Sequence, residues 1–425
     1  MGQNGLAFDM KKQVATRFVI GAIAIVAMAL GYWWFQRFVQ DPDLGDFDSV
    51  GHVVAVNLTR EGGRVVQFDE SGKEIAAPNP EKKVWDDRGA SWSSDGQRVF
   101  ISSNREQESY SVYRWNPVKN VVERRSKGSI SQAVPWFSKQ FVTADTQMGW
   151  LLAGGQILAL DVRSGDTSQV LPQAMDRTTQ GSEGGSIGAM SMYEKFGESF
   201  VLARPTNVEG YLYGLMRNDE GYAVILQRLG AEPESGMPYP PQEIFRARRV
   251  QLMTDDAGTA LVVIDGFQFP PNAEIPKEFI KDGKVVPPFF AAIYKMSLGA
   301  LGEVQAQLVA AIPTDGKESF GDAALSSDGT KIAVVIGGRL EDNGFEPAGL
   351  LSMPFEENGG QKIVPLVQGA ISSPDWSPDG SKVVYLKRDG QDVDVYRANG
   401  DGSGETRLSD GGNWSMPKFS PQVAK

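Results

Sequence analysis

Most of the chain alternates short apolar runs with turn-forming residues. After residue 52, runs rich in valine, isoleucine, leucine and aromatic residues are separated by glycine, aspartate, asparagine and proline. Runs of this kind are typical of β-strands, and no later segment shows a long helical period. The clearest runs are HVVAVNL, RVVQFD, RVFISS, QILALDV, AVILQRL, ALVVIDG, KIAVVIGG and KVVYLKR. The pattern predicts an all-β body over residues 52–425.

The amino-terminal segment has a different pattern. Residues 18–35 carry no charge, and as a helix they would span about 27 Å, close to the hydrocarbon thickness of a bilayer. Basic residues precede this segment and acidic residues follow it: Lys11, Lys12, Arg17, Asp41, Asp43, Asp46 and Asp48. This distribution predicts a transmembrane signal anchor at 17–37, a cytoplasmic tail at 1–16 and an acidic linker at 38–51, with the β body outside the cytoplasm.

Small and aromatic residues within the apolar run help to distinguish a membrane anchor from a cleaved signal peptide. A cleaved signal peptide is the alternative, with Ala27-Met28-Ala29 as the cleavage site, but the run continues beyond that site into an aromatic belt. Ala27 and Gly31 have the spacing of a small-residue helix contact. We therefore expect this helix to contact a membrane partner through Ala27, Gly31, Trp33 and Trp34.

A short motif recurs in the β region. Residues 90–100 read ASWSSDGQRVF, residues 324–333 read ALSSDGTKIA, and residues 374–385 read PDWSPDGSKVVY. Weaker copies occur near Trp136, Leu252 and Phe419, and the clear spacings of roughly 43 residues suit one four-stranded propeller blade. The apolar residue would end a strand, and aspartate and glycine would form the turn. The predicted structural residues are Trp92, Asp95, Gly96, Leu325, Asp328, Gly329, Trp376, Asp379 and Gly380.

The motif W-S-x-D-G-x-x-[IV] resembles the repeat of TolB-like and WD-repeat-like β-propellers of bacterial envelope proteins. The resemblance covers the chain from residue 52 to the end. It implies a propeller of about seven four-stranded blades, with six or eight as alternatives, but no activity, because propellers host many functions. We also expect the strand near Phe419 to complete a sheet with the strands of residues 52–76, which would close the ring.

Three insertions interrupt the blade spacing, at residues 173–189, 231–247 and 266–290. The first is polar and glycine-rich, whereas the other two combine prolines with aromatic residues. Such segments suit docking on a protein or a membrane surface, and packing as lids over the propeller is the alternative. The candidate contact residues are Tyr239, Phe267, Phe269, Phe279, Phe289 and Phe290.

Composition excludes several function classes. The chain has no cysteine, one histidine (His52) and a net charge of −11. Disulfide scaffolds, cysteine nucleophiles and imidazole- or thiolate-rich zinc sites are therefore excluded, and a broad nucleic-acid surface is not expected. No segment of the size of an α/β-hydrolase domain remains once the propeller is counted, which argues against serine peptidase activity. We expect His52 to be a surface residue close to the linker.

Carboxylates are the remaining candidates for acid–base catalysis or metal binding. Asp255 with Asp256, or Asp375 with Asp379, could serve as acid and base in a glycosidase, but each lies in a predicted turn. Acidic residues around 389–403 lack the EF-hand pattern, and residues 399–404 indicate a hairpin loop, with a structural calcium as the alternative. We therefore predict no catalytic, cofactor-binding or metal-binding residue.

These observations favour a non-enzymatic, membrane-anchored propeller that acts as an interaction scaffold or an accessory subunit of a larger membrane complex. We expect it in the bacterial inner membrane, with a single pass, a cytoplasmic amino terminus and a periplasmic propeller. The expected partner is an integral membrane or envelope protein complex, without a cofactor or a small-molecule ligand. The alternative function is a carboxylate-based carbohydrate-binding or hydrolytic propeller.

Overall fold

The protein is described here from a computed structural model that covers most of the predicted β region. The described residues are 48–76, 85–93, 95–105, 109–127, 142–143, 146–153, 156–161, 164–171, 199–217, 219, 221–232, 238–269, 274–340 and 344–421. From Ser49 onward they belong to one unit. Within these ranges, no helix has the length and apolar character needed to cross a membrane. The predicted anchor at 17–37, including Ala27, Gly31, Trp33 and Trp34, lies outside the described residues, as do Trp136 and residues 173–189.

The described residues contain 29 strands in six large antiparallel sheets and one two-stranded hairpin. The first sheet has the spatial order β29 (Trp414–Phe419), β1 (Val53–Thr59), β2 (Gly62–Phe68) and β3 (Glu74–Ala76). The second contains β4 (Asp87–Trp92), β5 (Val99–Ser103), β6 (Ser111–Asn116) and β7 (Val121–Arg124). The third contains β8 (Val142–Thr143), β9 (Thr146–Ala153), β10 (Gln156–Asp161) and β11 (Thr167–Leu171).

The other sheets follow in chain order. A seven-stranded sheet contains β12 (Ser199–Pro205), β13 (Tyr211–Arg217), β14 (Tyr222–Arg228), β15 (Gln242–Thr254), β16 (Ala260–Gln268), β19 (Ala291–Leu298) and β20 (Val304–Ile312). The hairpin consists of β17 (Ile280–Lys281) and β18 (Lys284–Val285). The last two sheets contain β21 (Glu318–Leu325), β22 (Lys331–Arg339), β23 (Phe345–Pro354) and β24 (Val364–Gln368), and then β25 (Ala370–Trp376), β26 (Lys382–Asp389), β27 (Asp392–Asn399) and β28 (Thr406–Arg407). Single 3-10 turns occupy Lys277–Phe279 and Gly359–Gln361.

The 13-residue strand β15 serves two neighbouring units of the fold. Its residues 242–247 pair with β14, and its residues 246–254 pair with β16. The seven-stranded sheet therefore consists of two four-stranded units that share β15. Together with the five four-stranded sheets, the described residues form seven four-stranded units, the number that the sequence favoured.

The two ends of the β region meet in the first sheet, as the sequence predicts. β29 pairs with β1, with Val53 opposite Phe419 and Val56 opposite Ser415. Ser420 N donates to His52 O at 2.8 Å and extends this pairing. The carboxyl-terminal strand thus covers an edge of β1 that would otherwise be open to other chains.

Hydrogen bonds and apolar contacts join neighbouring sheets. Gln251 on β15 donates to Ala323 O at 2.9 Å and accepts from Ala323 N at 2.6 Å. Asp375 on β25 accepts from Lys418 Nζ at 2.8 Å and from Phe419 N at 2.9 Å. Further links are Trp92 Nε1 to Lys418 O, Lys127 N to Gly165 O, Asn207 Nδ2 to Leu298 O, Ser373 N to Asp322 Oδ2, and the apolar cluster that contains Ile157, Leu171 and Phe200. The units therefore follow one another in a closed ring, which is the architecture of a β-propeller.

The core lies between successive sheets. All five residues of β5 and the first six residues of β16 are buried. Because neighbouring units cover both faces of each sheet, these central strands are buried continuously rather than at alternate positions. Burial of each large side chain contributes about 1.5–3 kcal/mol, so the ring is stabilised chiefly by contact between sheets.

Two boundaries differ from the sequence-based expectation. The insertion predicted at 231–247 ends at residue 241, because the following residues already pair with β14 as part of β15. Leu252 was also expected to end the first strand of its unit, but Thr254 takes that position, opposite Ala260. The turn that follows starts with Asp255, whose N donates to Thr259 O at 3.0 Å, and is one residue shorter than the other repeat turns.

Candidate interaction surface

The repeated motif forms the same turn in three sheets, between the first and second strands. Ser377 Oγ donates to Asp379 Oδ1 at 2.6 Å and accepts from Lys382 N at 2.9 Å. The corresponding hydroxyl-to-carboxylate bonds join Ser93 to Asp95 and Ser326 to Asp328. The glycines of these turns all have positive φ values, 68° at Gly96, 65° at Gly329 and 66° at Gly380, which explains why glycine is used there. The motif is therefore a folding element.

The repeat residues occupy equivalent positions in their sheets. Trp92, Leu325 and Trp376 each end a first strand, opposite Val99, Ile332 and Val383 respectively. The hydrogen bond from Ser326 holds the pKa of Asp328 below its ordinary value. Burial raises the pKa of Asp379, but hydrogen bonds from Ser377 and Ser381 outweigh that effect and lower it. Both turn carboxylates are thereby held in the ionised form that accepts these bonds.

The candidate acid–base carboxylates have structural partners instead of a shared pocket. Asp255 Oδ1 accepts from Ala257 N at 2.9 Å and Thr259 N at 2.8 Å. Asp375 joins two sheets, and Asp379 closes its turn. In the part of the chain that the structure describes, no group of three or more acidic or histidine side chains could hold a metal ion.

The remaining polar candidates also have local roles. His52 Nδ1 accepts from Gln67 Nε2 at 2.8 Å within the closing sheet. Residues 399–404 form a hairpin loop, in which Asn399 N donates to Ser403 O and Ser403 N donates to Asp401 Oδ1. Tyr239 lies beneath Arg228, whose guanidinium carbon is 4.1 Å from the ring centroid. Arg228 thus covers the face of the Tyr239 ring.

The insertion at residues 266–290 is built around aromatic contacts. It joins β16 to β19, and its described parts are residues 266–269 and 274–290. The centroid of the Phe267 ring lies 5.1 Å from that of Phe269 and 5.1 Å from that of Phe289, and Phe269 lies 5.8 Å from Phe279. Phe289 continues the cluster to Tyr294, whose pKa burial raises. None of these four phenylalanines is fully exposed, so they serve mainly to hold the insertion on the ring.

Arginines surround the base of the insertion. Asp265, which is buried, accepts from Arg249 Nε at 2.6 Å, from Arg248 Nη2 at 3.4 Å and from Ser319 Oγ. The Phe290 ring has Arg339 at 4.0 Å and Arg248 at 5.5 Å from its centroid. One carboxylate and one aromatic ring thus hold three guanidinium groups, which fixes the point where the insertion leaves the sheet.

The outermost part of the insertion is the hairpin of β17 and β18. All six residues 280–285 are exposed. Ile280 lies opposite Val285, and these side chains are 46% and 47% exposed, respectively. Lysines 277, 281 and 284 flank the apolar pair. Because an exposed apolar pair on an ordered hairpin pays little ordering entropy on binding, this hairpin is the strongest candidate contact point on the insertion.

The insertion and the start of the ring lie on opposite faces. Ser49 Oγ donates to Gly96 O at 2.8 Å, so the chain enters the ring on the face that carries the repeat turns. The insertion instead joins the second and third strands of its unit. Successive antiparallel strands reverse direction, so a connection between the second and third strands lies on the other face.

The arginine network was missed by sequence reasoning. Asp265 lies on a predicted strand, but no strand-like run was identified at Arg248 and Arg249. The partners Ser319, Arg339 and Phe345 are far away in sequence. The adjacent arginines are a weak local signal, because Arg124 and Arg125 form a second such pair elsewhere in the chain.

Comparison with known proteins supports the fold and leaves the role open. No protein-family model matches the sequence, and no curated protein matches it either. Among solved structures, a puromycin hydrolase matches with a TM-score of 0.52 and 11% identity, over 86% of this chain and 53% of the hydrolase. TolB from Acinetobacter baumannii matches with a TM-score of 0.46 and 15% identity, over 88% of this chain and 67% of TolB. A β-propeller domain from Myceliophteria thermophila matches with a TM-score of 0.49 and 12% identity, over 82% of this chain and 94% of that domain.

The sheet topology and the structural match define the class of the protein. The ring of four-stranded antiparallel units, closed by its terminal strands, is a β-propeller, and the puromycin hydrolase match agrees with that fold. At these identities the likeness concerns the fold alone, because unrelated functions share it.

Proposed function

We propose that the chain is a membrane-anchored, non-enzymatic β-propeller that serves as an interaction scaffold or accessory subunit of a larger membrane complex. The observation that carries this proposal is the insertion at residues 266–290. Neighbouring antiparallel strands such as β16 and β19 need only about two to five connecting residues. This connection is far longer and presents the apolar pair Ile280 and Val285 to solvent. A segment that the fold does not need, yet holds in place with aromatic and arginine contacts, suits the recognition of another protein.

The proposed location is the bacterial inner membrane, with residues 17–37 as a single anchor, residues 1–16 in the cytoplasm and the propeller in the periplasm. The uncharged run with basic residues before it and acidic residues after it supports this orientation. Because the chain enters the ring on the face of the repeat turns, the hairpin lies on the face opposite to the attachment point.

The orientation can be tested with single cysteines, because the natural chain has none. Gln3→Cys and Ile280→Cys variants would be exposed to a membrane-impermeant maleimide in spheroplasts. We expect labelling of Ile280→Cys alone, and labelling of Gln3→Cys only after the membrane is permeabilised. Labelling of Gln3→Cys in intact spheroplasts, or release of the protein from washed membranes, would contradict the proposed anchor.

The interaction role can be tested by sizing the protein after gentle solubilisation. We expect the full chain to migrate in an assembly larger than the monomer. The Ile280→Asp/Val285→Asp variant should lose that assembly, whereas Val118→Asp, an exposed apolar position on the other face, should retain it. A monomer in several mild detergents, or an assembly unaffected by the hairpin variant, would reject the proposal.

A further inference from the structure

Strand β20 leaves one edge of the seven-stranded sheet open. It is the fourth strand of its unit and pairs with β19 along one side, with Met296 opposite Ala306. Its nine residues, VQAQLVAAI, contain neither a charge nor a proline. Residues 305–308 are exposed. The amino-terminal half of β20 therefore lies at the rim of the ring as uncovered strand.

The backbone of this half is oriented to accept another strand. Leu308 O accepts from Asn358 N at 3.1 Å, so the Leu308 backbone faces away from β19. Backbone groups alternate along a strand, so Val304 and Ala306 face the same way. Within the described residues, their outward N–H and C=O groups make no hydrogen bond. The rim therefore presents two N–H donors and two C=O acceptors with the spacing of the hydrogen bonds between paired β-strands.

The other outer strands lack this combination of features. Folded proteins protect sheet edges with short strands, charges or proline. Strand β3 has three residues, β28 has two and β11 has five, β7 carries Glu123 and Arg124, and β24 contains Pro365. The segment at residues 358–360 covers the end of β20 but leaves residues 304–307 open. Because an unprotected edge of this length can pair with other chains and cause aggregation, its presence calls for a functional explanation.

The surroundings of the edge specify the chemistry of an added strand. Leu301, immediately before β20, is 90% exposed, and Leu308 is 37% exposed. Glu303 precedes the strand, and Glu357 lies beside the segment that contacts Leu308. The neighbouring Glu356 is already paired with Lys362 at 2.6 Å. Apolar side chains with acidic groups at both ends would suit an extended segment that has apolar residues and terminal arginine or lysine.

We propose that the edge of β20 binds an extended, basic-ended segment of a partner protein by strand addition. The added strand would bond to the outward backbone of Val304 and Ala306. A second copy of this chain is disfavoured, because it would bring together two molecules that each carry a net charge of −11. The proposal concerns a different surface from the hairpin at residues 280–285, so either can fail without the other.

The test uses a short synthetic peptide of alternating threonine and valine with arginine at both ends, added to the full chain in mild detergent. Hydrogen exchange should become slower at the amides of Val304 and Ala306 when the peptide binds. A peptide with N-methyl groups on alternate amides cannot form the ladder and should bind at least tenfold more weakly. A peptide with glutamate in place of both arginines should also bind at least tenfold more weakly at low salt.

Two protein variants complete the test. Ala306→Pro removes only an outward N–H, so the sheet should remain intact while peptide binding falls at least tenfold. Ile280→Asp changes the other surface and should bind the peptide as the natural chain does. Equal binding of the N-methylated peptide, or unchanged binding by a folded Ala306→Pro variant, would overturn the proposal. Sedimentation that shows a dimer abolished by Ala306→Pro would also overturn it, since a second copy would then occupy the edge.

Discussion

Asp375 links two sheets by a backbone hydrogen bond and by an ion pair, and mutation can separate these two contributions. Asp375→Ala leaves the N–H of Phe419, a buried residue, without its acceptor. A buried donor without a partner costs about 1–3 kcal/mol, whereas a partly exposed ion pair such as Asp375–Lys418 contributes about 0.2–1 kcal/mol. We expect Asp375→Ala to lower the free energy of unfolding by about 1.5–3 kcal/mol, and Lys418→Ala to lower it by about 1 kcal/mol at most.

Urea unfolding of the full chain in mild detergent, followed by tryptophan fluorescence, would measure these changes. The double variant Asp375→Ala/Lys418→Ala isolates the coupling between the two side chains, which should not exceed about 1 kcal/mol. Asp375→Asn retains an acceptor for Phe419 N and should recover at least half of the loss. A loss below about 0.5 kcal/mol for Asp375→Ala, or a coupling that accounts for nearly all of it, would refute this role of the backbone bond.

Further predictions concern the turns, the insertion and the surface. The turn carboxylates Asp328 and Asp379 have lowered pKa values in the folded chain, so their stabilisation is complete above the ordinary aspartate pKa of about 3.9 and is lost as the pH falls through the folded values. Urea midpoints should therefore fall more steeply below about pH 4 for the natural chain than for the variant with asparagine at both positions. Phe267→Ala removes a phenyl ring that contacts two others in the insertion. Limited trypsin digestion at residues 277–284 should become at least tenfold faster while the propeller stays folded. Leu301→Ala, at an exposed position, should change the free energy of unfolding by less than about 0.5 kcal/mol.

The features that sequence predicts well are those that depend on local chemistry. The turn of Ser377, Asp379 and Gly380 needs a hydroxyl, a carboxylate and a positive φ within four residues, so its composition is visible in the sequence. The spacing of such turns favoured seven units, with six or eight as alternatives. Closure between β1 and β29 was predictable because the last motif, at Phe419, has too few residues after it to complete a sheet.

Features that depend on long-range register could not be predicted in this way. The sharing of β15 between two units requires that its two ends pair with different neighbours, and nothing in residues 242–254 alone specifies this. The same holds for Asp265, whose partner Ser319 comes from another sheet. The phenylalanines at 266–290 were recognised as unusual, but whether they face a partner or one another depends on packing. The structure shows four of them in contact with one another, whereas Phe290 contacts arginines.

An engineered disulfide between the terminal strands would test the closed ring most directly. Val56 and Ser415 are opposite each other in the pairing of β1 with β29, and such positions lie about 4.5–5.5 Å apart at Cα, within the range that a disulfide spans. In a chain without natural cysteine, the variant Val56→Cys/Ser415→Cys should form one intramolecular bond under mild oxidation, seen as a single linked peptide pair by mass spectrometry. The pair Val56→Cys/Val118→Cys should form none. Free thiols or only intermolecular links in the first variant would contradict the closed ring.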